Sequence, residues 1–175
     1  THTDWEWLVI DDCSTDKSLE IIKILAYDDV RIVVSTNSQS IGPGPSRNKG
    51  IDLAKGKYLT FIDSDDLWLP NFIEISISTL NQNNCDFVFA SYERWNENLS
   101  IKLDEFLVPN SINYKQLLKT CPISCLTAFI NIEKLGKNYM PDIQKRQDYA
   151  LWLNYLKITP IAIGVISPLA KYRIR

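Results

Sequence analysis

Apolar positions along this chain gather in short bursts, separated by stretches in which they recur every three or four residues. WLVI (7–10) predicts a buried strand. Ser14 is placed to cap the helix that follows, in which Leu19, Ile22 and Leu25 share a face. VRIVVS (30–35) is β-branched and predicts a second strand. TNSQSIGPGPS reads as a loop because Gly42, Pro43, Gly44 and Pro45 stand together. A helix is expected from Pro45 or Ser46 to Ala54, with Gly56 just past its end. YLTFI (58–62) predicts a third strand, and Pro70 opens a helix with Ile73, Ile77 and Leu80 on one face. DFVFAS (86–91) predicts a fourth strand, whereas residues 93–111 read as polar and irregular. Tyr114, Leu117 and Leu118 suggest a short helix, and LTAFIN (126–131) another strand. A last helix carries Tyr149, Trp152, Leu153 and Leu156, and strands near IAIGVIS and LAKYRI close the sequence.

This alternation predicts an α/β fold with a mostly parallel central sheet flanked by helices. A length of 175 residues suits one domain over 1–175. Hydrophobic content of 45% and charged content of 23% are those of a soluble globular protein. The net charge of −2, with scattered Lys and Arg, argues against nucleic acid as a partner. The longest apolar tract, residues 158–170, is broken by Pro160 and Pro168 and is too short to span a bilayer. THTDWEW has neither a basic start nor a long apolar run, so no signal peptide is read and a cytoplasmic location is expected. Cys13, Cys85, Cys121 and Cys125 lack zinc-site spacing and are expected to be reduced thiols. With His2 the one histidine, proton transfer in any catalysis here falls to carboxylates.

Carboxylates cluster where such a fold binds ligands, beyond the carboxyl ends of strands. Asp11 and Asp12 follow WLVI, and Asp63, Asp65 and Asp66 follow YLTFI. Charges that close repel one another, and a divalent cation would relieve the repulsion. Asp63-Ser64-Asp65 is a D-x-D with hard oxygen donors suited to Mn²⁺ or Mg²⁺. The competing explanation is an ordinary polar turn before a helix, and Asp66 is the member most suited to a structural task.

Three stretches, WEWLVIDDCSTDKS, GPGPSRNKGIDLAKGKYLTFIDSDDLWLP and KRQDYALWLNYL, together resemble the inverting family 2 glycosyltransferases of the GT-A fold. The resemblance covers residues 5–80 well and 121–175 fairly. It implies that Asp11 and Asp12 hold the base and ribose of a nucleotide-diphospho-sugar, with UDP as the expected nucleotide. It places Arg47 near the diphosphate, Asp63 toward the ribose and Asp65 on the metal. Gln147-Asp148 matches the family's E-D or Q-D pair at the start of the late helix, which implies Asp148 as the general base that takes the proton of an acceptor hydroxyl. Trp68 is read as packing rather than contact, and Trp152 and Tyr149 divide between core packing, which is favoured, and the wall of the acceptor site. A glycan or lipid-linked acceptor is implied, which leaves room for peripheral association with the inner face of the cell membrane and a part in cell-envelope polysaccharide synthesis.

Two features depart from the family. Its opening strand and helix have no counterpart before Trp5, which predicts that these residues belong to a longer polypeptide. Many relatives end this region in Y-R-x-H; here KYRIR puts Arg175 in the last place. A guanidinium stays protonated and cannot ligate a metal, so the diphosphate is its expected contact. Two rival readings are a nucleotide-sugar-binding module without turnover and a metal-dependent phosphohydrolase. The second fits poorly, because Leu67 stands where such enzymes place Thr or Val.

Overall fold

The first apolar burst forms β1 (Trp7–Asp11), which pairs in parallel with β2 (Ile32–Thr36), Trp7 opposite Ile32 and Asp11 opposite Thr36. The computed structural model describes residues 1–174. Two compact units divide them: residues 3–56 with 137–151, and residues 57–136 with 1–2 and the stretch from Trp152 onward.

In the unit built on β1 and β2, the crossover helix α1 (Ser18–Asp28) turns Leu19, Ile22 and Ala26 partly inward. Leu25, expected on that face, is exposed. Ser14 does not cap this helix: its own N–H is taken by the Asp11 carboxylate, and the helix starts at Ser18. The second helix, α2 (Pro43–Leu53), starts earlier than expected. Gly42 precedes it at φ 86°, a conformation that favours glycine, and Pro43 is already set for a first helical position. Residues 137–146 and the first turn of a long helix, α6 (Gln147–Ile158), complete this unit.

The other unit holds β3 (Tyr58–Thr60), β4 (Leu67–Trp68), α3 (Phe72–Asn83), β5 (Phe87–Ala90), β6 (Tyr92–Asn96), β7 (Lys102–Phe106) and β8 (Ser111–Ile112). After them come α4 (Tyr114–Leu117), a 3-10 turn at Cys125–Thr127, β9 (Phe129–Asn131), α5 (Ile132–Leu135), the rest of α6, β10 (Ala162–Val165) and β11 (Ala170–Ile174). One sheet runs β3-β9-β5-β10-β8 and another β4-β11-β6-β7. Parallel pairing joins β5 to β10 and β6 to β11; the remaining pairs of this unit are antiparallel. The α/β class is as expected, but the sheet is more mixed than mostly parallel. The cause is that β9 inserts antiparallel between β3 and β5, and that β6 and β7 form a hairpin. A hairpin needs only a short link, whereas parallel neighbours need a crossover.

That hairpin corrects the irregular reading of residues 93–111. Glu93, Lys102 and Glu105 meet on one face, while Tyr92 stacks on Phe106 and Arg94 pairs with Asp104 on the other. Both faces carry charge, so no apolar alternation marks the strands. The core lies elsewhere, around the fully buried β5. Phe87 packs against Trp152 and Tyr155 of α6, with ring centroids 5.6 and 6.1 Å apart. Phe72 stacks on Trp68 at 4.7 Å and meets Phe129 edge-on. Trp152 and Trp68 are therefore packing residues, as expected. The four cysteines are free thiols.

Candidate active site

β1 delivers its terminal carboxylates to a turn. Asp11 is 4% exposed, and its side chain accepts the Ser14 N–H at 3.3 Å. Asp12 faces the loop after β2. Its two oxygens accept the Asn37 Nδ2, Ser40 hydroxyl, Ile41 N–H and Gly42 N–H, all within 2.8–2.9 Å. These donors, led by the Ile41 N–H, hold the carboxyl well below the usual carboxylate range, although burial opposes them. Asn37 extends the network: its Nδ2 also reaches Ser46 at 3.0 Å, and its Oδ1 accepts Lys49 Nζ at 3.0 Å. Sequence reasoning passed over Asn37. A lone polar residue at a strand end carries no pattern of its own, and its signal lies only in partners far along the chain.

α2 is the element on which the rest of this unit converges. Gly42, held by Asp12, precedes it, and Arg47 sits half-buried on its second turn. Gly44 lies against Gln147: a Cβ at Gly44 would stand 3.1 Å from Gln147 Cγ. Asn48 bonds Met140 at both main-chain groups, donating from Nδ2 to the carbonyl and accepting the N–H at Oδ1, each at 2.8 Å. Asp52 accepts the Tyr139 hydroxyl at 2.7 Å, and its carbonyl accepts Lys137 Nζ at 2.9 Å. Asp148 follows Gln147 in the first turn of α6 and is half-buried. Asp11, Asp12, Arg47 and Asp148 thus belong to one unit, joined through α2.

Asp63 and Asp65 belong to the other unit, in the turn after β3. The Asp66 N–H donates to the Asp63 carbonyl at 3.1 Å and closes this turn. Asp63 is exposed, Asp65 half-buried and Asp66 buried at 6% exposure. Asp66 accepts the Arg173 N–H at 2.9 Å, so it has the structural task expected of it. Burial, helped by the charges of Asp65 and Asp63, pushes its carboxyl up to about 6. The phenol of Tyr172 is also raised by burial and by these three carboxylates. Negative charge is therefore concentrated at this turn, and hard oxygen donors there fit Mn²⁺ or Mg²⁺. Among the described residues no group of three or more His, Cys, Asp or Glu side chains is arranged to hold a metal ion. Arg175 lies outside the described residues. No helix among those residues is long and apolar enough to cross a membrane.

Known proteins agree with this architecture. The profile of Glycosyl transferase family 2 matches residues 1–136. WfgD of Escherichia coli, named as a UDP-Glc:alpha-D-GlcNAc-diphosphoundecaprenol beta-1,3-glucosyltransferase, is 38% identical over 99% of this chain and 67% of its own length. TuaG of Bacillus subtilis (strain 168), which bears the name of a teichuronic acid biosynthesis glycosyltransferase, is 37% identical over 99% of this chain and 69% of its own. Among solved structures, that of Staphylococcus aureus TarS 1-349 in complex with UDP-GlcNAc superposes with a TM-score of 0.78 at 18% identity, over 97% of this chain. The chain spans 50% of that TarS chain. At that identity the likeness speaks for the fold, while the extended sequence matches speak for descent: the chain belongs to glycosyl transferase family 2.

Proposed function

We propose that this chain carries the catalytic region of an inverting glycosyltransferase that moves a sugar from a UDP-sugar to an acceptor hydroxyl, with Asp148 as general base. One observation carries the reading: near-complete alignment, at 38% identity, with a transferase named for a UDP-glucose donor and a lipid-diphosphate-linked acceptor. The family resemblance of Gln147-Asp148 and of the Asp63-Ser64-Asp65 turn adds to it.

In this reading Asp148 accepts the proton of the acceptor hydroxyl as that oxygen attacks the anomeric carbon. The bond from that carbon to the diphosphate breaks, and the configuration inverts in one displacement without a covalent enzyme intermediate. Asp65 holds Mn²⁺ or Mg²⁺, with Asp63 toward the ribose. When bound, that cation supplies charge neutralisation for the departing diphosphate. Arg47 and Arg175 serve the diphosphate with planar, permanently charged forks. Asp11 and Asp12 serve the nucleoside end, Asp12 by fixing the 37–42 loop through its four hydrogen bonds. A lipid-linked acceptor would bring the working enzyme to a membrane surface by peripheral association.

The test uses UDP-glucose, Mn²⁺ and a synthetic N-acetylglucosaminyl diphospholipid, with transfer followed by mass spectrometry and donor binding by calorimetry. Asp148→Asn is expected to abolish transfer and leave donor binding intact. Transfer that survives this substitution would remove Asp148 as the base. Binding without transfer or donor hydrolysis in the unaltered protein would instead favour a nucleotide-sugar-binding module.

A further inference from the structure

Asp148 sits at the end of a connection that has little regular structure of its own. Residues 137–146 contain no helix or strand, and the segment changes direction immediately before α6. Arg146, the residue before that helix, has φ 63°. A side-chain-bearing residue in the left-handed region costs on the order of 1–3 kcal/mol and persists only where its surroundings over-determine it. The first turn of α6 is thus set by whatever fixes residues 137–146, rather than by local preference.

Asn48 and Asp52 of α2 fix this segment, joined by Gln147 of α6 itself, and the contacts are specific. Asn48 clamps Met140 with two hydrogen bonds of 2.8 Å, one to its N–H and one from Asn48 Nδ2 to its carbonyl. Of the standard side chains of this length, only an amide donates and accepts at once, as a main-chain unit requires. Met140 itself is 3% exposed, so water does not readily replace those bonds. Nearer α6, the side chain of Gln147 bends back to its own approach segment, with Nε2 donating to the Ile143 carbonyl at 2.7 Å. Its Cγ then lies 3.1 Å from where a Cβ on Gly44 would stand. With a Cβ there the Gln147 side chain would have to give by a few tenths of an ångström, so glycine suits the close approach of Gln147 to α2. Tyr139 and Lys137 bind Asp52 one turn beyond Asn48 and extend the same attachment.

We propose that Asn48 is a positioning residue for Asp148, and that Gly44 sets the distance at which α2 holds the turn carrying it. The inference rests on Asp148 being the general base. The same helix carries Arg47, next to Asn48, and is itself pinned through Gly42 to Asp12. One rigid element thus sets the base and the donor-side residues of this unit in a fixed mutual arrangement. A base displaced by about 1 Å costs on the order of a hundredfold in rate, which is what such anchoring prevents.

The test compares Asn48→Ala, Asp148→Asn and the unaltered chain, using UDP-glucose, Mn²⁺ and the diphospholipid acceptor. For Asn48→Ala the expected result is a kcat lower by about ten- to a hundredfold, with the KM for UDP-glucose within about twofold. Amide hydrogen exchange should speed up across residues 137–150, while residues 87–90 keep their protection. An unchanged kcat beside faster exchange would overturn the inference, because the clamp would then hold only a loop. So would a fall in kcat matched by a rise in donor KM and lost protection in residues 87–90, which marks general destabilisation. Transfer retained by Asp148→Asn would overturn the underlying assignment of the base instead, and the exchange data would tell the two failures apart. Should Asn48→Ala not fold, Gly44→Ala takes its place. It is expected to lower kcat and to speed exchange across residues 137–150; a kcat and exchange pattern like those of the unaltered chain would overturn the inference.

Discussion

The carboxylate of Asp66 accepts the main-chain N–H of Arg173 at 2.9 Å, which ties the acidic turn to β11. The bond sits in a place hostile to charge. Burial, with the charges of Asp65 and Asp63 beside it, raises the Asp66 pKa from 3.8 to about 6, and the Arg173 N–H and guanidinium only partly offset them. Because the folded pKa lies above the unfolded one, the native state holds this proton more tightly. The group's contribution is full below 3.8 and is lost as pH rises through about 6. Asp66→Asn keeps an acceptor for the Arg173 N–H and cannot ionise. Urea midpoints taken in EDTA are expected to lose their fall between pH 4 and pH 6, with the variant at least as stable as the parent at pH 7. An unaltered pH profile would show that Asp66 carries no such penalty.

Asp12 predicts the opposite slope. The Ile41 N–H, the Asn37 amide, the Gly42 N–H and the Ser40 hydroxyl together depress its pKa below 3.8. A depressed folded pKa gives stability that is present above the unfolded value and lost as pH falls below it. Asp12→Ala strands these donors in the 37–42 loop. It is expected to cost about 1–3 kcal/mol at neutral pH, and less in acid, where the parent loses the same bonds. Chemical denaturation at two pH values checks this, and an equal cost at both would refute it.

How far the sequence shows these features depends on whether a residue's neighbours along the chain report its environment. The strand at Trp7–Asp11 was legible from its apolar run, although that run proves only half-buried and Trp7 is exposed, and the helix at Phe72–Asn83 from the apolar rhythm that burial leaves. So was the acidic turn after the third strand, because like charges in close sequence demand a reason. The β6–β7 hairpin was not, because water-facing strands need no such rhythm. Asn48 and Met140 lie 92 residues apart, and an asparagine inside a helix has the same local look whether it clamps a distant main chain or faces solvent. Asn37 escaped notice for the same reason.

Gly164 and Gly50 make a paired test of packing. A Cβ on Gly164 would fall 1.9 Å from the Pro109 carbonyl oxygen and 3.1 Å from Val108 Cγ2. The first obstacle is main chain, which no rotamer change relieves, and the strand is held there by the Gly164 N–H on the Asn110 carbonyl at 2.8 Å. Gly164→Ala is expected to destabilise by about 2–3 kcal/mol or to prevent folding. A Cβ on Gly50 meets Ile10 Cγ1 at 3.6 Å, an ordinary contact within a helix. Gly50→Ala should therefore be neutral or stabilising by up to about 1 kcal/mol. Thermal midpoints that fail to separate the two variants would contradict the close approach of residues 108–110 to β10.

The acidic turn offers the last discrimination, because its three carboxylates differ in exposure and task. Asp66 is buried and spends an oxygen on Arg173, so it is poorly placed to ligate an ion. Asp65 is half-buried and Asp63 exposed, and both have hard oxygens. Removing a direct carboxylate ligand should cost at least the ten- to hundredfold in affinity typical of losing a mere supporting partner. With Mn²⁺ titrated in the presence of UDP and followed by electron paramagnetic resonance, Asp65→Ala is expected to weaken binding by about that much or more. Asp63→Asn should weaken it less, and Asp66→Asn little. The ordering matters more than any single value. An ion held by general negative charge would respond alike to the loss of any of the three, whereas one held by Asp65 responds to that residue first. Equal losses would therefore reduce the turn to an electrostatic patch, and an unchanged affinity in Asp65→Ala would take the metal away from it altogether.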